Sequence, residues 1–191
     1  MPVRAFIAIK MPADIQTAIY GETAGLRTKI RASVRWVPAK NMHLTLLFLG
    51  DIPSADVDAY ARMLAEQTKA AHPFDIRISG IGAFPDKRHP HVIYAGIQAP
   101  DDLSTLQRTI ASGAESLGYR PEERAYTPHL TLGRVIQNSG TSDAAHIGRA
   151  LESAQFVMPD IIRVDAVHLL KSELTPDGPV YTSMNTALFR T

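Results

Sequence analysis

The sequence predicts an α+β fold built on antiparallel sheets, and three observations support this. The chain has 191 residues, 45% of them hydrophobic and 20% charged, which is enough to bury a core and is near the upper size of one ordinary domain. Strand-like and helix-like apolar patterns are mixed along the whole chain. Several predicted strands form hairpin-like pairs, and few are joined by the long strand–helix–strand crossovers that a doubly wound parallel sheet needs.

The first half of the chain begins with a short apolar strand, after which turn and cap residues separate the elements. Pro12 is typical of a helix start, Pro38 and Gly50 end strands, and Ser54 is a favourable N-cap. The apolar spacing predicts strands at residues 3–9, 34–37 and 42–49, helices at 13–30 and 55–71, and paired strands at 74–84 and 91–97.

The second half again mixes helices with strands. Gly118 is a helix-stop signal, and residues 175–179 have the composition of a turn between two strands. The pattern predicts helices at residues 101–117 and 143–151, a strand at 129–136, and two strands at 161–170 and 180–189 that pair across this turn.

The composition excludes several classes of site. The absence of cysteine rules out disulfides, thiolate nucleophiles and cysteine-ligated metal centres. The N-terminus is typical of a first strand and not of a signal peptide, and no segment approaches the roughly 20 apolar residues that cross a bilayer. We therefore expect a cytoplasmic protein with no membrane partner. The net charge of +1 means that a nucleic-acid partner would be held by a local basic patch.

A repeated tetrapeptide is the strongest functional signal. The segment His-Leu-Thr-Leu occurs at residues 43–46 and again at 129–132, each time inside a predicted strand. Because successive strand residues point to opposite faces, His43 and Thr45 share one face, and Leu44, Leu46 and Phe48 are expected on the other. The same alternation puts His129 and Thr131 opposite Leu130 and Leu132.

Two such strands facing one another supply the groups needed for phosphoryl chemistry without a metal. A neutral imidazole takes a proton from water while a protonated one gives a proton to the departing ribose oxygen. A histidine pKa near 6.5 makes both forms available at neutral pH, and threonine hydroxyls donate hydrogen bonds to phosphate oxygens. The two motifs have the same local context, so this reasoning does not assign the two roles. For the remaining histidines we expect no such role; they are His72, His89, His91, His146 and His168.

The two motifs, one per half of the chain, resemble those of the two-histidine phosphoesterase superfamily. The closest resemblance is to the bacterial and archaeal RNA 2′,3′-cyclic phosphodiesterases, also described as 2′–5′ RNA ligases. The similarity extends over nearly the whole chain and rests on the order and spacing of segments 4–9, 35–38, 41–46, 48–50, 82–85, 126–134 and 178–181. Leu47 is a departure, since many relatives have lysine after the first motif.

This resemblance implies a single bilobal domain over residues 1–191, with two antiparallel sheets related by a pseudo-two-fold, a central groove and helices on the outside. It implies a monomeric enzyme that opens the 2′,3′-cyclic phosphate at an RNA end to a 2′-phosphate, with no metal and no cofactor. It further implies reversible 2′–5′ RNA ligation, in which a 5′-hydroxyl opens the cyclic phosphate in place of water. The resemblance also assigns His43 as the proton donor and His129 as the proton acceptor.

Four further side chains are candidates for substrate binding: Thr45, Thr131, Arg134 and Tyr126. A guanidinium suits a phosphate, but strict alternation puts Arg134 on the leucine face unless a bulge at Gly133 turns it back. Tyr126 is an aromatic face on which a terminal base can stack.

Three alternatives remain open. The same site fits a phosphodiesterase for 2′–5′ oligonucleotides or for small cyclic nucleotides. An RNA-end-binding module without turnover would keep the phosphate contacts but would not need a proton acceptor. A two-histidine metal site is disfavoured because no carboxylate stands at ligand spacing beside either motif.

Overall fold

The computed structural model describes residues 1–30, 33–121, 124–136, 141–154, 156–176 and 178–190. Within these ranges the chain forms nine strands and five α-helices, so the predicted α+β class is confirmed. The strands are β1 Pro2–Lys10, β2 Val34–Trp36, β3 His43–Pro53, β4 Phe74–Phe84, β5 Val92–Gln98, β6 His129–Val135, β7 Val157–Val164, β8 Ala166–Thr175 and β9 Gly178–Leu188. The helices are α1 Ala13–Glu22, α2 Ala24–Lys29, α3 Val57–Thr68, α4 Asp101–Glu115 and α5 Thr141–Glu152.

The two motif strands are neighbours at the centre of the sheet. The strand order is β7-β4-β5-β6-β3-β1-β8-β9, with β2 added alongside β6. Neighbouring strands pair antiparallel, as expected from the hairpin-like patterns. The resemblance implies two sheets, whereas the described strands form one nine-stranded sheet, because Leu44 of β3 pairs with Leu130 of β6 and joins the two halves. This pair brings the two repeated motifs side by side.

A bulge in each motif strand changes which side chains reach the groove face. In the β1–β3 pairing, Leu47 is opposite Ile7 and Thr45 is opposite Ala8, which leaves Leu46 as an extra residue. Leu46 and Leu47 are therefore both buried, and Phe48 is 53% exposed. The prediction that Phe48 lies on the leucine face is wrong, because strict alternation does not continue through a bulge.

The second motif strand has a bulge at the corresponding place. Gly133 pairs with Ile93 and Thr131 with Tyr94, so Leu132 is the extra residue. Leu132 and Gly133 are both buried, and the exposed Arg134 comes to the face of Thr131. A Cβ on Gly133 would lie 2.6 Å from Cγ1 of Val34, so the packing of β2 against β6 favours glycine here. The bulge at Gly133 that would turn Arg134 toward the groove is therefore present.

The remaining differences lie at element boundaries. The helix predicted over 13–30 is divided at the buried Thr23, whose hydroxyl donates to the Ile19 carbonyl at 2.9 Å and competes with the helical pattern. Ser54 does not cap the helix, because residues 54–56 form a 3₁₀ turn and α3 begins at Val57. Gly118 follows α4 with φ of 90°, as a helix stop requires.

The segment predicted as one strand at 161–170 is two strands. The first, β7, pairs with β4 at one end of the sheet, and the second, β8, pairs with β1 and β9 at the other end. At Asp165 the chain leaves one end of the sheet and joins the other, and the alternation of apolar residues gives no sign of this change. The β8–β9 hairpin across residues 175–178 agrees with the predicted pairing, and Asp177 of the predicted turn lies outside the described residues.

The core consists of the leucine faces of the motif strands and the helices packed on them. Leu44 and Leu130 are fully buried, and Leu46 and Leu132 are nearly so. The predicted apolar stripe of α4 is buried throughout, at Leu103, Leu106, Ile110 and Ala114. None of the helices in the described ranges is both long and apolar enough to cross a membrane.

Candidate active site

The groove face of the motif strands opens into two clefts that share a wall. The first cleft, of about 490 Å³, is lined by His43, Thr131 and Arg134 among others. The second cleft, of about 540 Å³, is lined by His129 and Tyr126 among others. Thr45 and Phe48 line both clefts and form the wall that they share, which we call the ridge. His43 lines the cleft on one side of this ridge, and His129 lines the cleft on the other side.

Both imidazoles are oriented in the same way. The Nδ1 of His43 lies 2.7 Å from the Asn41 carbonyl, and the Nδ1 of His129 lies 2.7 Å from the Thr127 carbonyl. Since a carbonyl oxygen only accepts, each Nδ1 carries the proton. In the neutral ring this leaves a lone pair on Nε2, the nitrogen that is available for proton transfer.

Aromatic rings hold each imidazole in place. His43 packs against Phe6 at 4.9 Å between ring centroids and edge-on against Tyr181 at 5.1 Å. His129 packs against Phe84 at 4.9 Å and Tyr94 at 5.5 Å. The sequence pattern did not identify any of these four rings as a partner of a histidine. Segments 4–9 and 82–85, which carry Phe6 and Phe84, belong to the family resemblance and were the available signal.

Burial lowers the pKa of His43 below its ordinary value of 6.5. The hydrogen bond to the Asn41 carbonyl acts in the opposite direction, and the positive charge of His129 lowers the pKa further. The two imidazoles are therefore close enough to interact electrostatically. In the free protein at neutral pH His43 is mainly neutral, and an anion bound beside it would raise its pKa and favour its protonated form.

This electrostatic coupling leads to a direct prediction. In an NMR titration of the imidazole Cε1–H signals, we expect His43 of the free protein to titrate below pH 6.5. In His129→Ala its midpoint should rise, because one repulsive charge is removed, but should stay below 6.5 because burial remains. A midpoint at or above 6.5 in the wild type would contradict the burial argument.

The threonines of the two motifs offer hydroxyl groups to the groove. Both line the first cleft, and in the described ranges neither hydroxyl forms a hydrogen bond within the protein. Their Oγ1–H groups are therefore available to a ligand. Thr45 and Thr131 follow the two histidines at the same spacing, so a phosphate between the histidines would meet a hydroxyl from each strand.

Arg134 and Tyr126 take different positions from one another. Arg134 lines the first cleft with its side chain exposed, because the bulge turns it toward the groove. The Tyr126 hydroxyl donates to the Thr45 carbonyl at 3.1 Å, and burial raises the pKa of this phenol. Tyr126 thus ties the segment before β6 to the first motif, and only its ring is presented to the second cleft.

The other histidines lie outside both clefts. His146 contacts the Lys29 carbonyl at 3.0 Å, and His168 contacts the Thr186 hydroxyl at 3.0 Å. In the described part of the chain no three side chains of the histidine or carboxylate type are grouped as metal ligands.

Comparisons with known proteins cover both halves of the chain. The family model described as LigT like phosphoesterase matches twice, over residues 9–94 and 96–181, and each match contains one of the repeated motifs. A curated RNA 2′,3′-cyclic phosphodiesterase of Methanothermobacter thermautotrophicus is 34% identical over 187 residues, covering 96% of this chain and 97% of the relative. A second, of Archaeoglobus fulgidus, is 30% identical over 185 residues, covering 95% and 98%.

Solved structures show the same fold. A Thermus thermophilus protein superposes with a TM-score of 0.79 at 27% identity, covering 98% of each chain. The apo form of E. coli LigT superposes with a TM-score of 0.78 at 24% identity, covering 100% of this chain and 99% of the other. Because both structures superpose over nearly all of this chain, the similarity in fold extends over both of its halves.

Proposed function

Because this chain belongs to the LigT-like phosphoesterase family, we propose that it hydrolyses the 2′,3′-cyclic phosphate at RNA ends to a 2′-phosphate, with His43 and His129 as the acid–base pair. One observation carries the proposal. Two imidazoles from adjacent central strands, each with Nδ1 bound to a backbone carbonyl, line the two sides of one ridge. Curated relatives at 30% and 34% identity with this activity support the choice of substrate.

In the proposed reaction, a water oxygen attacks phosphorus and the bond from phosphorus to O3′ breaks. His129 Nε2 takes a proton from the water, and His43 gives its Nε2 proton to the departing O3′. The products are a 2′-phosphate and a free 3′-hydroxyl. The hydroxyls of Thr45 and Thr131, with Arg134, donate to the non-bridging oxygens, where negative charge accumulates.

The environment of His43 supports its role as the acid. Burial and the charge of His129 lower its pKa, which makes its protonated form a stronger acid. The negative charge of a bound phosphate then favours protonation of this ring in the complex. His129 lines the second cleft, through which water can approach the phosphorus on the side away from the first cleft.

The second cleft also supports opening of the same cyclic phosphate by a 5′-hydroxyl in place of water. Its volume of about 540 Å³ is far larger than one water molecule requires. A 5′-hydroxyl in the position of the attacking water, deprotonated by the same His129, would join two ends through a 2′–5′ linkage. When RNA with a 5′-hydroxyl is added, part of the cyclic-phosphate RNA should therefore be converted into a 2′–5′-linked product.

The test is hydrolysis of a short RNA ending in a 2′,3′-cyclic phosphate in the presence of a chelator. We expect turnover, with a product that carries a 2′-phosphate and a free 3′-hydroxyl. Tight binding of the same RNA without turnover would contradict the proposal and would indicate a module that binds RNA ends without catalysis. A 3′-phosphate product would contradict the assignment of O3′ as the leaving group.

The threonines should have a smaller effect than the histidines. We expect Thr45→Val and Thr131→Val each to lower kcat/KM roughly tenfold, because each removes one hydrogen bond to a charged oxygen, worth about 1.5 kcal/mol. Thr45→Ser and Thr131→Ser keep the hydroxyl and should stay within a few-fold of the wild type. Full activity in both valine variants would exclude the hydroxyls from phosphate binding.

A further inference from the structure

Three arginines from three different strands line the first cleft: Arg4 of β1, Arg35 of β2 and Arg134 of β6. No aspartate or glutamate is among the described residues that line it. The second cleft differs, since Glu115 accompanies its two arginines, Arg108 and Arg124. The first cleft is therefore the part of the groove with the larger excess of positive charge.

Arg35 and Arg134 are direct partners across the β2–β6 pairing. Like charges at directly opposed positions are unfavourable, so the pair costs stability unless an anion lies between the two side chains. In the described ranges neither side chain forms an ion pair, whereas Arg163 on β7 pairs with Asp75 at 3.0 Å. The arrangement is one that an anion would stabilise.

Arg4 adds charge from the other wall of the cleft. Its cross-strand neighbour is Asp51, but no ion pair joins these two residues in the part of the chain that the structure describes. Burial raises the pKa of Tyr181, while the charges of Arg134 and Arg4 lower it. Both guanidinium groups thus act on one phenol, and this phenol packs against His43. The positive charge is next to the catalytic groups.

The charge exceeds what the reacting group requires. A 2′,3′-cyclic phosphate is a diester with a single negative charge, which the histidines, the threonines and Arg134 already meet. Each additional nucleotide of an RNA strand adds one further phosphate charge on the 5′ side. Guanidinium groups bind phosphate oxygens in a bidentate, directional way.

We propose that Arg4 and Arg35, next to Arg134, form a second phosphate subsite that binds the phosphate on the 5′ side of the terminal nucleotide. This inference rests on the proposed function and deepens it. The substrate class that follows is an RNA strand, or a nucleotide with a 5′-phosphate, in preference to a nucleoside 2′,3′-cyclic phosphate.

The test compares adenosine 2′,3′-cyclic phosphate with the same compound carrying a 5′-phosphate. In the wild type we expect kcat/KM to be about tenfold higher for the 5′-phosphorylated compound, the gain typical of one charge-assisted contact. In Arg35→Ala this ratio should fall to within about twofold of one, and Arg35→Lys should retain part of it. Added salt should reduce the wild-type ratio, because phosphate contacts are screened.

Arg62→Ala is the matched control, since Arg62 is an exposed arginine of α3 that lines neither cleft. It should keep the wild-type ratio. A wild-type ratio near one, with both compounds turned over, would overturn the subsite alone. Equal losses on both compounds in Arg35→Ala, or a preference that survives this substitution, would also overturn it. Failure of the wild type to turn over the 5′-phosphorylated compound, in a preparation that hydrolyses cyclic-phosphate RNA, would also overturn the subsite. Failure on this RNA as well would overturn the proposed function and the subsite with it.

Discussion

Replacement of His43 or His129 by alanine is expected to lower kcat for cyclic-phosphate opening by about 10²–10⁴-fold, the range of general acid–base catalysis. Each variant removes one of the two imidazoles that we propose as proton-transfer groups at the ridge between the clefts. The double variant should be little worse than either single one, because the two groups act as a unit.

The measurement is the chelator-treated hydrolysis assay, read as kcat and KM separately. His168→Ala is a suitable control, since it removes an imidazole that lies outside both clefts. It should keep wild-type activity. If His43→Ala or His129→Ala retained activity within a few-fold of the wild type, that residue would not be part of the acid–base pair.

The same pair determines the expected pH dependence. A plot of kcat/KM against pH should be bell-shaped, because one imidazole must be neutral and the other protonated. The limb that belongs to His43 should lie below pH 6.5, since burial lowers the pKa of this group in the free enzyme. A flat profile between about pH 5 and 9 would count against two titrating imidazoles.

The second large effect concerns stability. Leu44→Ala and Leu130→Ala should each lower the free energy of unfolding by about 2–5 kcal/mol, the range for a buried leucine replaced by alanine. Both side chains are 0% exposed, and the two residues pair directly across the junction of β3 and β6. Each substitution leaves a cavity in the core at the residue that follows a motif histidine.

Urea denaturation provides the measurement, and Leu188→Ala provides the control, since Leu188 is 73% exposed and should change stability by less than about 0.5 kcal/mol. The double variant should depart from the sum of the single effects because the two leucines are partners. A loss below about 1 kcal/mol in both single variants would show that the contact between the central strands contributes little.

Part of the architecture follows from local pattern alone. The α+β class, the hairpin of β4 and β5 and the buried face of α4 all agree with apolar periodicity, since burial of one face repeats at every second or every third to fourth residue. Pattern did not reveal the break at Thr23 or the division between β7 and β8. A buried hydroxyl and a change of strand partner leave the local alternation unaltered.

For the site, the sequence by itself determined which two histidines and two threonines share a strand face with their leucines opposite, because the repeat and the alternation of side chains are local properties. The tertiary structure decided the rest. The exposure of Phe48 and Arg134 depends on bulges formed against β1 and β5. The rings around each histidine come from other strands, and Arg35 faces Arg134 only because β2 pairs with β6. Strand pairing joins residues far apart in the chain, so its consequences lie outside any local pattern.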